Sequence, residues 1–409
     1  MTEATELDSS WQETVFGRVP REWSYEPLEN FFVLITYGFT NPMPTTGVGP
    51  YMLTAKDIFN GKIQYKTARR TTSEAYEKLL TEKSRPKFDD ILITKDGSIG
   101  RVAIVDQENI CISQSVALIR PNKRILPLFL KYLLESDQYQ QLIDIDATGS
   151  TIQHIYITKI NKMMVAVPDN AEQKTIAAVL SSLDDKIDLL HRQNQTLEAI
   201  ATTLFRQWFM EEAREDWEER PLSRIANFLN GLACQKHPPK SELEKLPVLK
   251  IKELSGGVSE SSDWASSEIK PEYIVEAGDV IFAWSASLMV KVWDGERCVL
   301  NQHLFKVTST EFPKWFYLIW CKHHLAEFIS ISSSHATTMG HIKRGDLDAA
   351  IVSVPPEKEL KAMSEQMAPL LDKQISISKQ IRILEKLRDN LLPKLMSGEV
   401  RVSNEGMAS

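Results

Sequence analysis

At 409 residues, with 43% hydrophobic and 25% charged residues, the chain is long enough for two or three domains and has a soluble globular composition. No run of eighteen apolar residues occurs, which argues against a helical membrane span, and the opening MTEATELDSSWQETVFG lacks an apolar secretory core. The net charge of −7 is spread unevenly: residues 17–167 carry +3, residues 168–216 carry −5 and residues 1–16 carry −4, so overall acidity does not exclude a local basic surface.

In chain order, Trp23–Leu28 opens the first globular segment, and Asn41–Pro44 and Gly47–Pro50 read as loops. Tyr51–Ile58 reads as a strand or strand-turn closed by Asn60-Gly61. Asp90–Thr94 is an apolar strand followed by the turn Lys95–Ser98; Val102–Val105 and Val116–Ile119 are further strands. Leu128–Ile143 has helical spacing, Ala147–Thr151 is a polar loop, and Met163–Val167 is a last strand before Pro168.

Ala171–Met210 contains neither proline nor glycine. Ile176, Leu183, Leu190, Leu197 and Leu204 recur every seven residues, and so do Leu180, Ile187, Asn194, Ala201 and Trp208, offset by four. This is an a/d heptad seam, and a single helix cannot bury it alone. A second such helix runs from Glu357 to Leu392. A shift of 187 positions places Ile176 on Met363, Leu183 on Leu370, Leu190 on Ile377, Leu197 on Leu384 and Leu204 on Leu391, with Asn194 on Ile381.

The segment between the helices repeats the first domain in order. Trp217–Leu222 answers Trp23–Leu28, Val248–Leu254 answers the segment around Leu53–Ile58, and Asp279–Ala283 answers Asp90–Thr94. Cys298–His303 answers Cys111–Gln114, Phe316–Ile329 is again helical, and Ala336–Ile342 answers Thr148–Ile155. Val352–Pro355 answers Val165–Pro168. The reading is two copies of one mixed α/β domain, each followed by a long helix.

Catalytic motifs are missing. There is no GxxxxGK[ST] loop, and Lys95–Arg101 has the wrong glycine spacing for one. Asn41-Pro-Met-Pro44 lacks the consecutive prolines and the aromatic of an Asn-Pro-Pro-aromatic methyltransferase motif. Cys321, His323, His324, His335 and His341 show no tetrahedral metal spacing. The four cysteines form no CxxC and read as reduced thiols of a cytoplasmic protein, with Cys111 and Cys298 in apolar runs.

The layout resembles the specificity subunit of type I restriction–modification enzymes, over nearly the whole chain. Val165-Ala-Val-Pro168 leading into Glu172-Gln173 and Ile176 carries the resemblance, with Leu204-Phe-Arg-Gln-Trp-Phe209 and Leu395-Met-Ser-Gly-Glu-Val-Arg-Val402. The second copy departs from the pattern at Pro356-Glu357 and Glu359-Leu360. The resemblance implies an α+β fold: two mixed α/β target-recognition domains separated by two long antiparallel coiled-coil helices, with a pseudo-twofold internal repeat. The expected divisions are 1–168 (with a tail over 1–16), 169–214, 215–355 and 356–409.

It also implies a chain that does no chemistry. It would read a bipartite double-stranded DNA target and carry two modification (methyltransferase) subunits and restriction (translocase/endonuclease) subunits. S-adenosylmethionine and ATP with Mg would sit on those partners. A coiled-coil scaffold that reads no DNA is the alternative.

Candidate DNA contacts in the first domain are Lys62, Lys66, Arg69 and Arg70 after a turn, then Lys83, Arg85 and Lys87. Lys95, Ser98 and Arg101 flank a second turn, and Thr151, Gln153 and His154 lie on the polar loop. In the second domain they are Trp284, Ser285, Lys291, His341, Lys343 and Arg344. Arg and Lys suit phosphate and guanine, and amides suit adenine.

Overall fold

The computed structural model describes residues 10–15, 17–146, 154–334 and 340–402. Gln153, His335 and the Ala147–Thr151 loop lie outside them. Contacts group the chain into two compact units, residues 1–185 with 386–409 and residues 186–385.

In the first unit, Ser24–Pro27 pairs antiparallel with Met164–Val167, so the domain's opening strand closes on its last one. An antiparallel sheet runs Val102–Ile104, Ile91–Thr94, Val116–Pro121, Phe32–Tyr37. Ile91–Thr94 is buried throughout, with Thr94 its one polar side chain, because both sheet faces are covered. Ile91 and Ile93 join Phe129, Leu130 and Leu133 of a helix on one face. Leu92 joins Leu53, Ile58, Ile110 and Ile112 on the other. Ile110–Ile112 runs parallel to the end of Thr46–Leu53.

Two local expectations are corrected. Gly47–Pro50, expected as a loop, lies within the strand Thr46–Leu53. That strand is irregular there: its register slips between Thr46 and Tyr51, and Gly49 has φ +133° with the Thr71 carbonyl where a Cβ would stand. The expected helical stretch Leu128–Ile143 is two helices, Pro127–Glu135 and Asp137–Asp146. They break at Ser136, whose hydroxyl donates to the Leu133 carbonyl at 2.8 Å.

The second unit repeats the plan. Glu218–Pro221 pairs antiparallel with Ile351–Val354, and the sheet order is Asn227–Asn230, Leu304–Thr308, Val280–Ala283, Met289–Val292, all antiparallel. Val280 and Phe282 face one core, Ile281 and Ala283 the other. The helical stretch Phe316–Ile329 is again divided, into Lys314–His323 and Leu325–Ser334.

The long helices are Asn170–Arg206 and Glu357–Met396. The first starts where the Asp169 carboxylate accepts the Glu172 N–H at 2.8 Å. Gln173 is fully buried; its amide donates to the Arg124 and Pro168 carbonyls at 2.9 Å and accepts the Leu126 N–H at 2.7 Å. Glu172 accepts from the Trp23 indole at 3.1 Å. These bonds give the Glu172-Gln173 pair a structural reason: it fastens the domain to its helix. In the second unit Leu360 instead packs against the core, and Glu359 pairs with Arg214 at 3.3 Å.

Within each unit the two helices run antiparallel. In the first, Ile176, Ala177 and Leu180 are buried with Leu395 and Met396, and Leu391 packs alongside. Leu183 is half-buried. In the second, Ile187, Leu190, Ile377 and Ile381 form a seam flanked by Leu197 and Leu384. There the Asn194 amide donates to the Ser378 hydroxyl at 3.1 Å, and the Gln374 amide donates to Glu198 at 2.9 Å.

Further along, the buried stripe leaves the heptad register. Phe205 and Phe209 are buried, with Leu204 and Trp208 partly so; Met363, Met367 and Leu371 are buried and Leu370 only partly. A straight helix drifts by about 20° per heptad, which moves the buried stripe onto neighbouring positions. A π-turn, Gln207–Glu211, ends the first helix.

Asp184, which the acidic balance suggests as an outer-face residue, is tied inward. It accepts from the Tyr132 hydroxyl at 2.7 Å and from Arg388 at 3.1 Å, and Lys131 lies 3.9 Å away. Glu135, bonded to Lys131 at 2.8 Å, has its carboxyl pushed up by burial. Asp184→Ala is therefore expected to destabilise the first unit by roughly 1–3 kcal/mol, by leaving the part-buried Tyr132 hydroxyl without its acceptor and Arg388 with Asp389 alone. Denaturant unfolding checks it; a variant as stable as the parent would refute this role.

Candidate nucleic-acid interface

Four segments of the first unit are joined by backbone hydrogen bonds. Phe39 donates to the Ile112 carbonyl and Gln114 to the Phe39 carbonyl, both at 2.9 Å. Lys95 donates to Ser115 and Ile155 to Lys95, again at 2.9 Å. Asp96 and His154 form an isolated antiparallel bridge. A sheet-edge exit, two turns and the end of the polar loop thus converge.

The second unit builds the same junction. Leu232 donates to Leu300 at 2.9 Å, Gln302 to Leu232 at 2.8 Å, Trp284 to His303 at 3.4 Å and Ile342 to Trp284 at 3.0 Å. Ser285 and His341 form the matching bridge. Lys95 thus corresponds to Trp284, Gln114 to Gln302 and His154 to His341.

Each junction needs a glycine. A Cβ on Gly38 would stand 1.7 Å from the Ile112 carbonyl oxygen, and one on Gly231 would stand 2.2 Å from that of Asn301. Only a residue without a side chain lets these backbones meet.

The side chains differ between the junctions. In the first, Lys95 pairs with Asp96 at 2.9 Å and lies 5.4 Å from the Tyr37 ring, while His154 meets Tyr156 edge-on at 4.9 Å. Ser98 is exposed on its turn. In the second, Trp284 donates to Asn230 at 3.1 Å and stacks on Phe305 at 5.6 Å, and its ring lies 6.2 Å from His341. The Ser285 hydroxyl lies 3.1 Å from His303 Nδ1.

The other candidates are placed elsewhere. Lys62 lies on the hairpin Ile58–Phe59 with Lys62–Ile63, Lys66 on the following turn and Arg69 on a short strand, all three exposed. Arg70 is turned inward: it donates to the Gly49 carbonyl at 2.8 Å and stacks over Tyr51 at 3.8 Å. Arg85 donates to the Glu77 carbonyl at 2.7 Å, and Lys87 pairs with Glu82 at 3.2 Å. Arg101 reaches the Ile58 carbonyl at 3.3 Å and Phe59 at 5.3 Å. Lys291 donates to the Leu254 carbonyl at 3.1 Å. Lys343 and Arg344 are exposed at the start of a short helix.

The junctions bring in residues that a search for basic runs passes over: Tyr37, Gln114 and Tyr156 in the first unit, Asn230, Gln302 and His303 in the second. The repeat carries a signal for one pair, since a glutamine follows Ser113 in one copy and Asn301 in the other.

Among the described residues, no three His, Cys, Asp or Glu side chains gather as a metal site would require. Burial pushes the Cys111 and Cys298 thiols up to about 12, so both stay protonated at neutral pH. The Asn41–Pro44 loop is fastened by Met43, which packs on Met52, Leu80 and Cys111. Among the described residues no helix is long and apolar enough to cross a membrane.

Residues 46–199 and 214–386 each match the type I restriction modification DNA specificity domain. The chain is similar to the type I restriction enzyme MjaIX specificity subunit of Methanocaldococcus jannaschii, with 27% identity over 427 residues covering 97% of each chain. It is also similar to the HindI specificity subunit of Haemophilus influenzae, 21% identical over 390 residues, covering 74% of this chain and 84% of the other. The fold is similar to the crystal structure of the type I restriction–modification S subunit from M. genitalium, with a TM-score of 0.56, 17% identity and coverage of 91% and 96%. With both domain matches lying over one internally repeated fold, the chain belongs to the type I restriction–modification DNA specificity family.

Proposed function

We propose that the chain is the DNA-reading subunit of a type I restriction–modification complex, each unit reading one half of a bipartite duplex target. The observation that carries this is the four-segment junction, built twice on one backbone plan with different side chains at its rim. A shared frame with different side chains is what two different half-sites require. Lys62, Lys66, Arg69, Lys343 and Arg344 supply exposed cations for phosphate, and residues of the Lys95–His154 and Trp284–His341 junctions read bases.

The long helices dock two modification subunits, and restriction subunits complete the assembly in the cytoplasm. S-adenosylmethionine and ATP with Mg belong to those partners, and this chain does no chemistry. Residues 17–167 and 217–354 act as exchangeable reading modules.

The test is duplex binding by the complex of this chain with its modification subunits. Preference for the methylated target sequence over scrambled DNA, with affinity falling steeply as salt rises, is the expected result. No preference would favour the scaffold reading.

Two outcomes follow for the helices. Asp185 is exposed, unlike Asp184, so Asp185→Lys is expected to weaken assembly with the modification subunits while leaving unfolding unchanged. Sedimentation of the variant complex checks it; unchanged assembly would count against this docking face. Seven residues inserted after Asn194, matched by seven after Ser378, keep the heptad phase and add roughly 10 Å, about three base pairs of duplex. The unread gap should widen by that amount with the half-site bases unchanged. An unchanged gap would show that the helices do not set it.

A further inference from the structure

We propose that Gln114 in the first unit and Gln302 in the second each hydrogen-bond a base edge, adenine by preference, one in each half-site. This rests on the DNA-reading function proposed above and assigns it to two side chains.

Both glutamines hold the same place. Each is the residue whose backbone N–H is fixed, to Phe39 at 2.9 Å and to Leu232 at 2.8 Å. Each follows a short buried strand, Ile110–Ile112 or Cys298–Leu300, that runs parallel to a neighbour. Each sits beside a glycine whose missing Cβ admits the turn. The backbone of the position is therefore rigid in both units, which a base contact requires and a solvated turn does not.

The carboxamides are not used by the fold in a way that explains them. Among the described residues, the exposed Gln114 side chain makes no hydrogen bond. Among the described residues, the Gln302 amide nitrogen has only His303 Nε2, at 3.4 Å, the far limit of a hydrogen bond. What both fix is the main chain, and any polar or small residue would keep those bonds.

A carboxamide presents one donor and one acceptor in a plane. In the major groove that pattern matches the N7 acceptor and N6 amino donor of adenine. The flanking positions differ, Lys95 against Trp284 and Tyr37 against Asn230, so the remaining bases of the half-sites are free to differ.

The experiment uses the full chain assembled with its modification subunits. Binding is measured by competition against duplexes in which each base pair of the target is replaced singly. Gln114→Ala is expected to lower discrimination at one position of one half-site by about 5- to 100-fold, the loss of one two-point contact, with the other half-site unaffected. Gln302→Ala is expected to do the same in the other half-site.

Gln302 is half-buried, so Gln302→Glu, which keeps its size but reverses the donor, provides that arm if the alanine variant fails to fold. Its preference should move from adenine towards cytosine, whose amino group donates. Discrimination unchanged at every position, or both variants acting in the same half-site, would overturn the assignment. A parent complex that discriminates at no position would instead overturn DNA reading itself, so the two failures are distinct.

Discussion

Leu190→Asp is expected to destabilise the second unit by about 3–5 kcal/mol, the cost of an unpaired charge in a packed apolar site. Leu190 is 2% exposed and packs with Ile187, Ile377 and Ile381. Its neighbour Leu189 is 41% exposed. Leu189→Asp changes charge and chemistry equally, one residue away, and is expected to move stability by less than about 0.5 kcal/mol. For a unit of this size the loss at Leu190 corresponds to a melting temperature lower by on the order of 10 °C. Paired denaturant or thermal unfolding of the two variants checks this. Equal stability would mean that the helix seam does not hold the second unit together.

The seam shows what periodicity can and cannot convey. Ile176, Leu180, Ile187, Leu190, Ile377 and Ile381 are buried where the heptad places them. Towards the end of the first helix the same pattern selects Leu204 and Trp208, whereas Phe205 and Phe209 are the buried residues. Heptad counting assumes that one partner persists along the whole helix. Here the aromatic residues of Lys314–His323 join the second helix as neighbours: Phe205 and Phe209 both meet Trp320 edge-on and share a core with Met363, Met367 and Leu371. Which neighbour a helix meets is a tertiary fact that its own sequence does not hold.

The domain repeat was legible for a similar reason, because strand order and buried runs leave a local trace. Residues 91–93 and 280–283 are apolar at consecutive positions, as strands covered on both faces must be.

The residues proposed to read bases were less legible. Counting positive charge selects Arg70, Arg85, Arg101 and Lys291, yet each reaches a backbone carbonyl of its own unit. A long cationic side chain finds its partner only once the chain is folded. Gln114 and Gln302 carry no charge and sit in no run. Their one trace in the sequence is the glutamine that follows Ser113 and Asn301 in the two copies, and the matching hydrogen bonds of the two junctions give that trace its meaning.

Each unit is proposed to read its own half-site. The most direct measurement is the pattern of methylated adenines in a host genome that carries this chain with its modification subunits, before and after residues 17–167 are exchanged. The replacement should come from a relative that retains residues equivalent to Lys131 and Tyr132, which bond Glu135 and Asp184. The exchange carries both strands of the closing pair, Ser24–Pro27 and Met164–Val167, so the module keeps its own core. The predicted result is a bipartite motif in which one half-site changes completely, while the other half-site and the gap stay as they were. A motif altered in both halves, or in neither, would contradict the account.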